Sequence, residues 1–542
     1  MYYSCPVIPQ KFLAALKNIF VSTGDLKILE SEGLELNVNG EVKIVYFALA
    51  VMLGDNAGIN SILGFVESFS ANYYCRFCKL HKCQAHYMTA VPEIFLRTVD
   101  NYAEDVIVND QSETGVFEEC VFNCLESYHV VVNGTVDIMH GILEGVAKYD
   151  LCKVLFEFVY VRKYFSDDTF RDRIDNFHYG PLEAGNRPPS NKISRKSLAE
   201  DSLNFSEMLC FVRHLGEMIG DLVPEDDPVW ELYILLREII DILFAPEFSA
   251  GTENLLHVLV VEHHQLYMEL FLCNVKQKFH FMLHYSSLML TLGPLVHLSS
   301  IRWEAKHREL KQVARATNSR INLPHTVVLK HQLRQCYRFM SGDGLKVEFS
   351  VGLTQLVQRE TVDPRALLRD FIPPNVLVNV AKWVSVCGIY FKCGLLLHVG
   401  YNDTLPSFTK ITEIIYDGTD PSGHPKIYFI CSAYKTNSFS RHHHSYKVSE
   451  NFDLTVVPYG STLSVYPLVI RPHFPCGTLL EEVFVFPGPR GGAVTVSHVL
   501  GAGNPSWEPK DRWKLSFIIY IGGLMFCPQI SQNFKEKLLQ KL

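Results

Sequence analysis

Two cysteines, Cys75 and Cys78 in "YYCRFCK", stand at the Cys-x-x-Cys spacing that presents two thiolates to one metal ion. Two further ligands are needed for a tetrahedral zinc set. The stretch "VDIMHGILEG" supplies candidates, because Asp137 and His140 lie three residues apart at the start of a helical pattern and so share one face. His140 with either Asp137 or His81 could complete the set around structural Zn²⁺. Two ordinary cysteines in a loop is the alternative reading. A thioredoxin-type redox pair fits poorly, since these cysteines sit in an aromatic loop and do not open a helix after a strand. His280 and His284 are also one helical turn apart, a metal-ligand spacing, but no acid of the zinc-protease kind or other ligand stands near them in sequence. They read as a structural pair.

A carboxylate chemistry is suggested elsewhere. Asp55 in "GDNAG" follows the apolar run "IVYFALAVML", which has the near-continuous hydrophobicity of a buried strand in a mostly parallel sheet. Ligands and metals collect at the carboxyl ends of such strands, so Asp55 is placed as a metal-binding acid; capping of the following turn is the simpler role. After Ser300, the residues Glu304, Arg308, Lys311 and Arg315 recur at spacings of four, three and four, which puts an acid and three cations on one helix face. From Arg302 to Arg338 there are nine Lys or Arg against two Glu, in a chain whose formal charge is −8. Nucleic acid, if bound, must be bound by a local patch of this kind, because the net field repels phosphate. A solvated face laced by Glu-to-Arg pairs is the competing reading.

The elements that carry these residues follow from periodicity. At 542 residues the chain exceeds what a single core serves, and roughly three domains are expected. Apolar residues make up 48% and charged residues 20%, ordinary globular usage that argues against disorder and coiled coil. Residues 10–32 read as a helix broken at Ser-Thr-Gly, followed by a hairpin about Asn39-Gly40. Acidic, loop-like sequence covers 101–135, helical spacing dominates 150–275, a helix pair covers 300–341, and short alternating strands run to about 475. The first residues lack the pattern of a secretory signal, and the run "LSFIIYIGGLMF" is shorter than the roughly twenty residues that span a bilayer. No membrane role and an intracellular setting are therefore expected, with the 15 cysteines mostly reduced.

Taken in order, Asp55 in "GDNAGINSILGF", Cys75 and Cys78 in "YYCRFCK", Asp137 and His140 in "VDIMHGILEG", and Glu304 in "RWEAKHRELK" resemble the catalytic core of CACTA-like DDE transposases. The resemblance covers about residues 10–475. It implies an α/β fold, a ribonuclease-H-like core interrupted by a large α-helical insertion and followed by a small β-rich domain. The corresponding divisions are 1–145 for a partial core with the Cys-x-x-Cys loop, 146–290 for the insertion, 291–345 for the return to the core, 346–476 for the β-rich domain, and 477–542 for a tail without a functional reading. In that family three carboxylates hold two Mg²⁺ or Mn²⁺ ions, and here Asp55 and Glu304 would converge as the second and third. The first acid has no counterpart, since the only aspartate upstream, Asp25, sits in a turn context and follows no buried strand. The expectation is a transposase-derived protein truncated at its amino terminus, located in the nucleus, with impaired catalysis. Its expected partners are duplex DNA at transposon ends, through Arg308, Lys311 and Arg315, and further copies of itself. A protein-interaction scaffold is the alternative, and a small-molecule hydrolase built on Asp55, Asp137 and His140 lacks any accompanying nucleophile motif.

Overall fold

A computed structural model describes residues 25–38, 40–193, 203–341, 348–362, 367–402, 405–419, 424–462, 468, 470–472, 483–485 and 514–520. Mixed helix and sheet, compatible with an α/β protein, divide into two compact units. The first comprises 1–146, 249–336 and 496–542, and the second 147–248 and 337–495.

In the first unit a helix at Asp25–Ser31 leads into antiparallel strands Leu34–Val38 and Glu41–Leu53, the expected hairpin. Most of the helix expected over 10–32, and Asn39 of the turn, lie outside the described residues. The long strand is exposed at its start and buried at its end, because its apolar residues become continuous only toward Leu53. Its second neighbour is Lys514–Tyr520, paired in parallel with Lys514 opposite Tyr46 and Tyr520 opposite Leu53. The sequence pattern anticipated a mostly parallel sheet; one antiparallel and one parallel neighbour are found, the latter drawn from the tail that carried no reading. Leu49, Met52, Ile59, Leu63, Phe65, Tyr102, Phe122 and Tyr128 form the core below this strand. Tyr102 belongs to a helix, Val99–Val108, closed by a Thr98/Asn101 capping box inside the stretch expected to be loop.

Helical periodicity beginning at Asp137 is realised in an unusual form. Met139–Val146 is a π-helix that continues into the α-helix Ala147–Phe156. Further helices of the first unit are Thr252–Phe271, Gln277–Met282, Tyr285–Leu292, Ile301–Ala316 and, mostly, Leu323–Ser341.

The second unit joins the helices Phe205–Ile219 and Pro228–Leu243 to an antiparallel eight-stranded sheet centred on Leu405–Thr419, Pro425–Ser440 and Ser445–Pro458. The turn between the last two strands docks on the helices through charge. Arg441 bridges Glu231 and Glu238 at 2.6 and 2.9 Å, and His444 meets Asp241 at 2.6 Å. The helical stretch expected at 146–290 is thus shared between the units, its part beyond 249 grouping with the first. Among the described residues no helix is long and apolar enough to cross a membrane.

Candidate metal centre and acid cluster

Four ligand atoms, from Cys75, Cys78, His280 and His284, lie within 4.8 Å of one another, and all four residues are buried. Cys78 Sγ is 3.2 Å from His280 Nε2, and Cys75 Sγ is 3.5 Å from His284 Nε2. Zinc bonds of about 2.3 Å to sulfur and 2.0 Å to nitrogen place tetrahedral S and N neighbours about 3.5 Å apart, and these two sulfur-to-nitrogen distances are close to that. The Phe77 amide donates to Cys75 Sγ at 3.4 Å, two residues on, which directs that sulfur inward. Burial pushes the Cys75 thiol up, but its shared hydrogen bond with Cys78 and the charges of His284 and His280 outweigh it and favour the thiolate. That is the form a metal needs.

Two buried arginines brace this centre. Arg76, between the two cysteines and 3% exposed, donates to Asn56 Oδ1 at 3.0 Å, to Asn60 Oδ1 at 3.2 Å and to the Thr135 carbonyl. Asn56 and Asn60 lie on the helix Asn56–Ile62, so this one guanidinium fastens the Cys-x-x-Cys loop to the helix that follows Asp55. Arg97 donates to the Cys75 carbonyl at 3.3 Å and pairs with buried Asp105 at 2.7 Å.

Asp137 and His140 therefore do not complete the cysteine site. Buried Asp137 is the hub of a second cluster. It accepts from the amides of Met139 and Ser300, both at 3.1 Å, from the Ser300 hydroxyl, and bonds His140 Nδ1. The other imidazole nitrogen, His140 Nε2, faces Glu304 at 3.6 Å and Glu144 at 3.9 Å. His81, the other ligand considered, caps the short helix Lys82–Ala85 by accepting from the Cys83 amide. His280 and His284, expected to be merely structural, take the places assigned to Asp137 and His140. Sequence reasoning saw their spacing but not their partners, which lie some 200 residues earlier. Glu144 and Ser300 were missed altogether, although Glu144 follows His140 by four residues and shares its helix face.

Asp55 is the N-cap of the helix Asn56–Ile62, its Oδ1 accepting the Gly58 amide at 2.7 Å. That is the simpler of its two roles. Glu304 occupies the first turn of Ile301–Ala316 and turns toward His140. Arg308, Lys311 and Arg315 are exposed on that helix, and among the described residues none of them forms an ion pair. Glu309 is taken by Lys306 and by Arg334 of the next helix. The Glu-to-Arg lacing that would make this a merely solvated face is thus absent from these three cations.

No protein-family model and no curated protein matches the sequence. The chemistry rests on the two clusters themselves. The first is a closed four-ligand site suited to structural zinc. The second is an imidazole held between a buried carboxylate, Asp137, and two partly exposed ones, Glu144 and Glu304.

Burial disfavours charge on His140, but the hydrogen bond and charge of Asp137, with Glu144 and Glu304, outweigh it and raise its pKa above the ordinary value. For Asp137, burial is likewise outweighed by His140 and Ser300, and its carboxyl stays below the usual range. The histidine's contribution to stability is complete below its ordinary pKa and is lost as pH rises through the raised value; the aspartate's is present above its ordinary value and lost as pH falls through the lowered one. Asp137→Asn should return the His140 pKa to its ordinary value or below, as read from the imidazole proton resonances across a pH titration. An unmoved resonance would show that Asp137 does not govern this histidine.

Proposed function

We propose that the chain is a transposase-derived DNA-binding protein, in which a zinc centre braces a second cluster of DDE type and catalysis is weak or lost. One observation carries the reading. Glu304 comes within 3.6 Å of His140, although more than 160 residues separate them, so the Asp-x-Met-His and Arg-Trp-Glu motifs of the resemblance meet in space. The Cys-x-x-Cys loop joins the same region through Arg76 and the Asp55-capped helix.

Among the described residues only Cys75, Cys78, His280 and His284 bring three or more ligand atoms within 4.8 Å of one another, so the Mg²⁺ or Mn²⁺ that the resemblance implies has no assembled ligand set at His140, Glu144 and Glu304. Asp137 and Ser300 hold the imidazole so that Nε2 points between the two glutamates. Arg308, Lys311 and Arg315 meet the phosphates of a duplex along the exposed face of the same helix that presents Glu304. Weak catalysis accords with the lack of an assembled carboxylate set among the described residues, and Asp55 serves as a helix cap. A nuclear location and self-association belong to the same reading.

Fluorescence anisotropy of a labelled duplex, repeated from 50 to 200 mM salt, tests it. Affinity should fall steeply as salt rises, by counterion release. Little duplex affinity at about 150 mM salt would favour the scaffold alternative instead.

A further inference from the structure

The helix Leu323–Ser341 is 19 residues long and buries none of them. Helices in folded proteins owe most of their stability to the packing of an apolar face, so such a face left in water is the mark of a binding surface. This helix has one. Leu329, Leu333, Cys336 and Met340 recur at spacings of four, three and four, which lines them along one side, and all four are exposed, Leu333 and Met340 by 61% and 69%. Exposed Tyr337 borders the stripe. A different side meets the preceding helix, Ile301–Ala316: Lys330 donates to Oγ1 of its C-cap Thr317 at 3.2 Å, and Arg334 pairs with its Glu309. At 100° per residue the stripe lies roughly a third of a turn round from these two cations. The preceding helix therefore does not cover it.

Spacing and charge together define the occupant. Apolar positions alternating at three and four residues make the narrow seam by which one helix meets another, whereas a bilayer surface takes up a broader apolar face. The occupant is a helix. Leu323–Ser341 carries Lys330, Arg334 and Arg338 and no acid, and from Arg302 to Arg338 nine Lys or Arg stand against two Glu. A second copy of the chain would bring the same cations and be repelled, and a duplex would neutralise them but leave Leu329, Leu333 and Met340 in water. An acidic helix satisfies both demands. We infer that Leu323–Ser341 is a docking helix for a partner protein, which it meets through the seam of Leu329, Leu333, Cys336 and Met340, and that the partner's segment is an amphipathic helix with apolar residues in the facing positions and Asp or Glu beside them. Arg308, Lys311 and Arg315, which meet the duplex in the reading above, belong to the preceding helix and take no part in the seam.

The test is fluorescence anisotropy of a labelled three-heptad peptide, with Leu along its seam and Glu in the flanking positions, titrated with the full chain. This acidic peptide should bind, and a counterpart with Lys in place of Glu should bind about tenfold or more weakly. Leu333→Gln and Met340→Gln, each changing an exposed side chain, should weaken the acidic peptide about tenfold or more, as loss of an apolar anchor does, while zinc content and duplex affinity stay unchanged. Either variant decides the matter alone if the other fails to fold. No binding of the acidic peptide, equal binding of the two peptides, or unchanged affinity in both variants overturns the inference. Three further results would also overturn it: Leu333-dependent binding of vesicles containing phosphatidylserine, a Leu333-dependent dimer in analytical ultracentrifugation, or lost duplex affinity in Leu333→Gln. These would give the seam to a bilayer, to a second copy and to DNA respectively.

Discussion

Protein purified from zinc-supplemented cells should contain one zinc ion per chain, and Cys78→Ser or His284→Ala should abolish it together with the folded state of the first unit. The effect is expected to be large because of where the ligands lie. Cys78 and His280 are fully buried, Cys75 and His284 nearly so, and the pairs come from segments about 200 residues apart. Closing so long a connection costs entropy that the metal bonds must offset. Structural zinc contributes apparent binding energies of about 10–16 kcal/mol at neutral pH, comparable to the 5–15 kcal/mol by which whole domains are stable. Removing one ligand also leaves a buried thiolate or imidazole without its partner. Loss of cooperative melting is therefore expected, not a shift of a few degrees. His81→Ala and His140→Ala, the ligands favoured by sequence spacing, should retain zinc. If either removes the metal while His284→Ala keeps it, the assignment of the tetrahedron is wrong. Retention of a sharp thermal transition by zinc-free Cys78→Ser would refute the structural role.

How much of this was legible in the sequence depended on the distance over which a signal acts. The hairpin at Gly40, the helix Ile301–Ala316 and the β-rich segment after 348 were readable because turn chemistry and periodicity are local properties of the chain. The pairing of Asp137 with His140 was readable for the same reason, three residues on one helical face. The choice of zinc ligands was not. Cys-x-x-Cys announces half of a tetrahedron and His-x-x-x-His the other half, yet nothing local says that one completes the other. Proximity in sequence favoured His140 and His81, whereas folding brings in the helix Gln277–Met282. Lys514–Tyr520 was opaque for a related reason, since an isolated apolar run does not reveal which strand it will pair with, or in which direction. The π-helix was hidden too. Its sequence has ordinary helical spacing, and nothing local in it marks the i→i+5 hydrogen bonding that distinguishes it from an α-helix.

Reversing two charges on one exposed helix, in Arg308→Glu/Lys311→Glu, should reduce duplex affinity by about a hundredfold at low salt while leaving zinc content and melting unchanged. Charge-assisted hydrogen bonds are worth about 1.5–3 kcal/mol each, so losing two such contacts accounts for a loss of this order even before the added repulsion. Stability should be spared, because both side chains are exposed and neither takes part in an ion pair among the described residues. The salt dependence offers an independent reading. Each phosphate contact contributes a slope of about −0.9 in log affinity against log salt, so the variant should show a slope shallower by about two. Lys306→Glu is the informative contrast: its ammonium is committed to Glu309, which also binds Arg334, so that substitution should disturb the junction of the two helices more than it alters the salt slope. Glu304→Gln should leave duplex affinity intact, since Glu304 is turned toward His140. An unchanged affinity and slope in the double reversal would place the duplex elsewhere on the chain or remove it from the function. A parallel loss from Lys306→Glu and from the double reversal would mean that net charge alone, and not the face formed by Arg308, Lys311 and Arg315, governs binding.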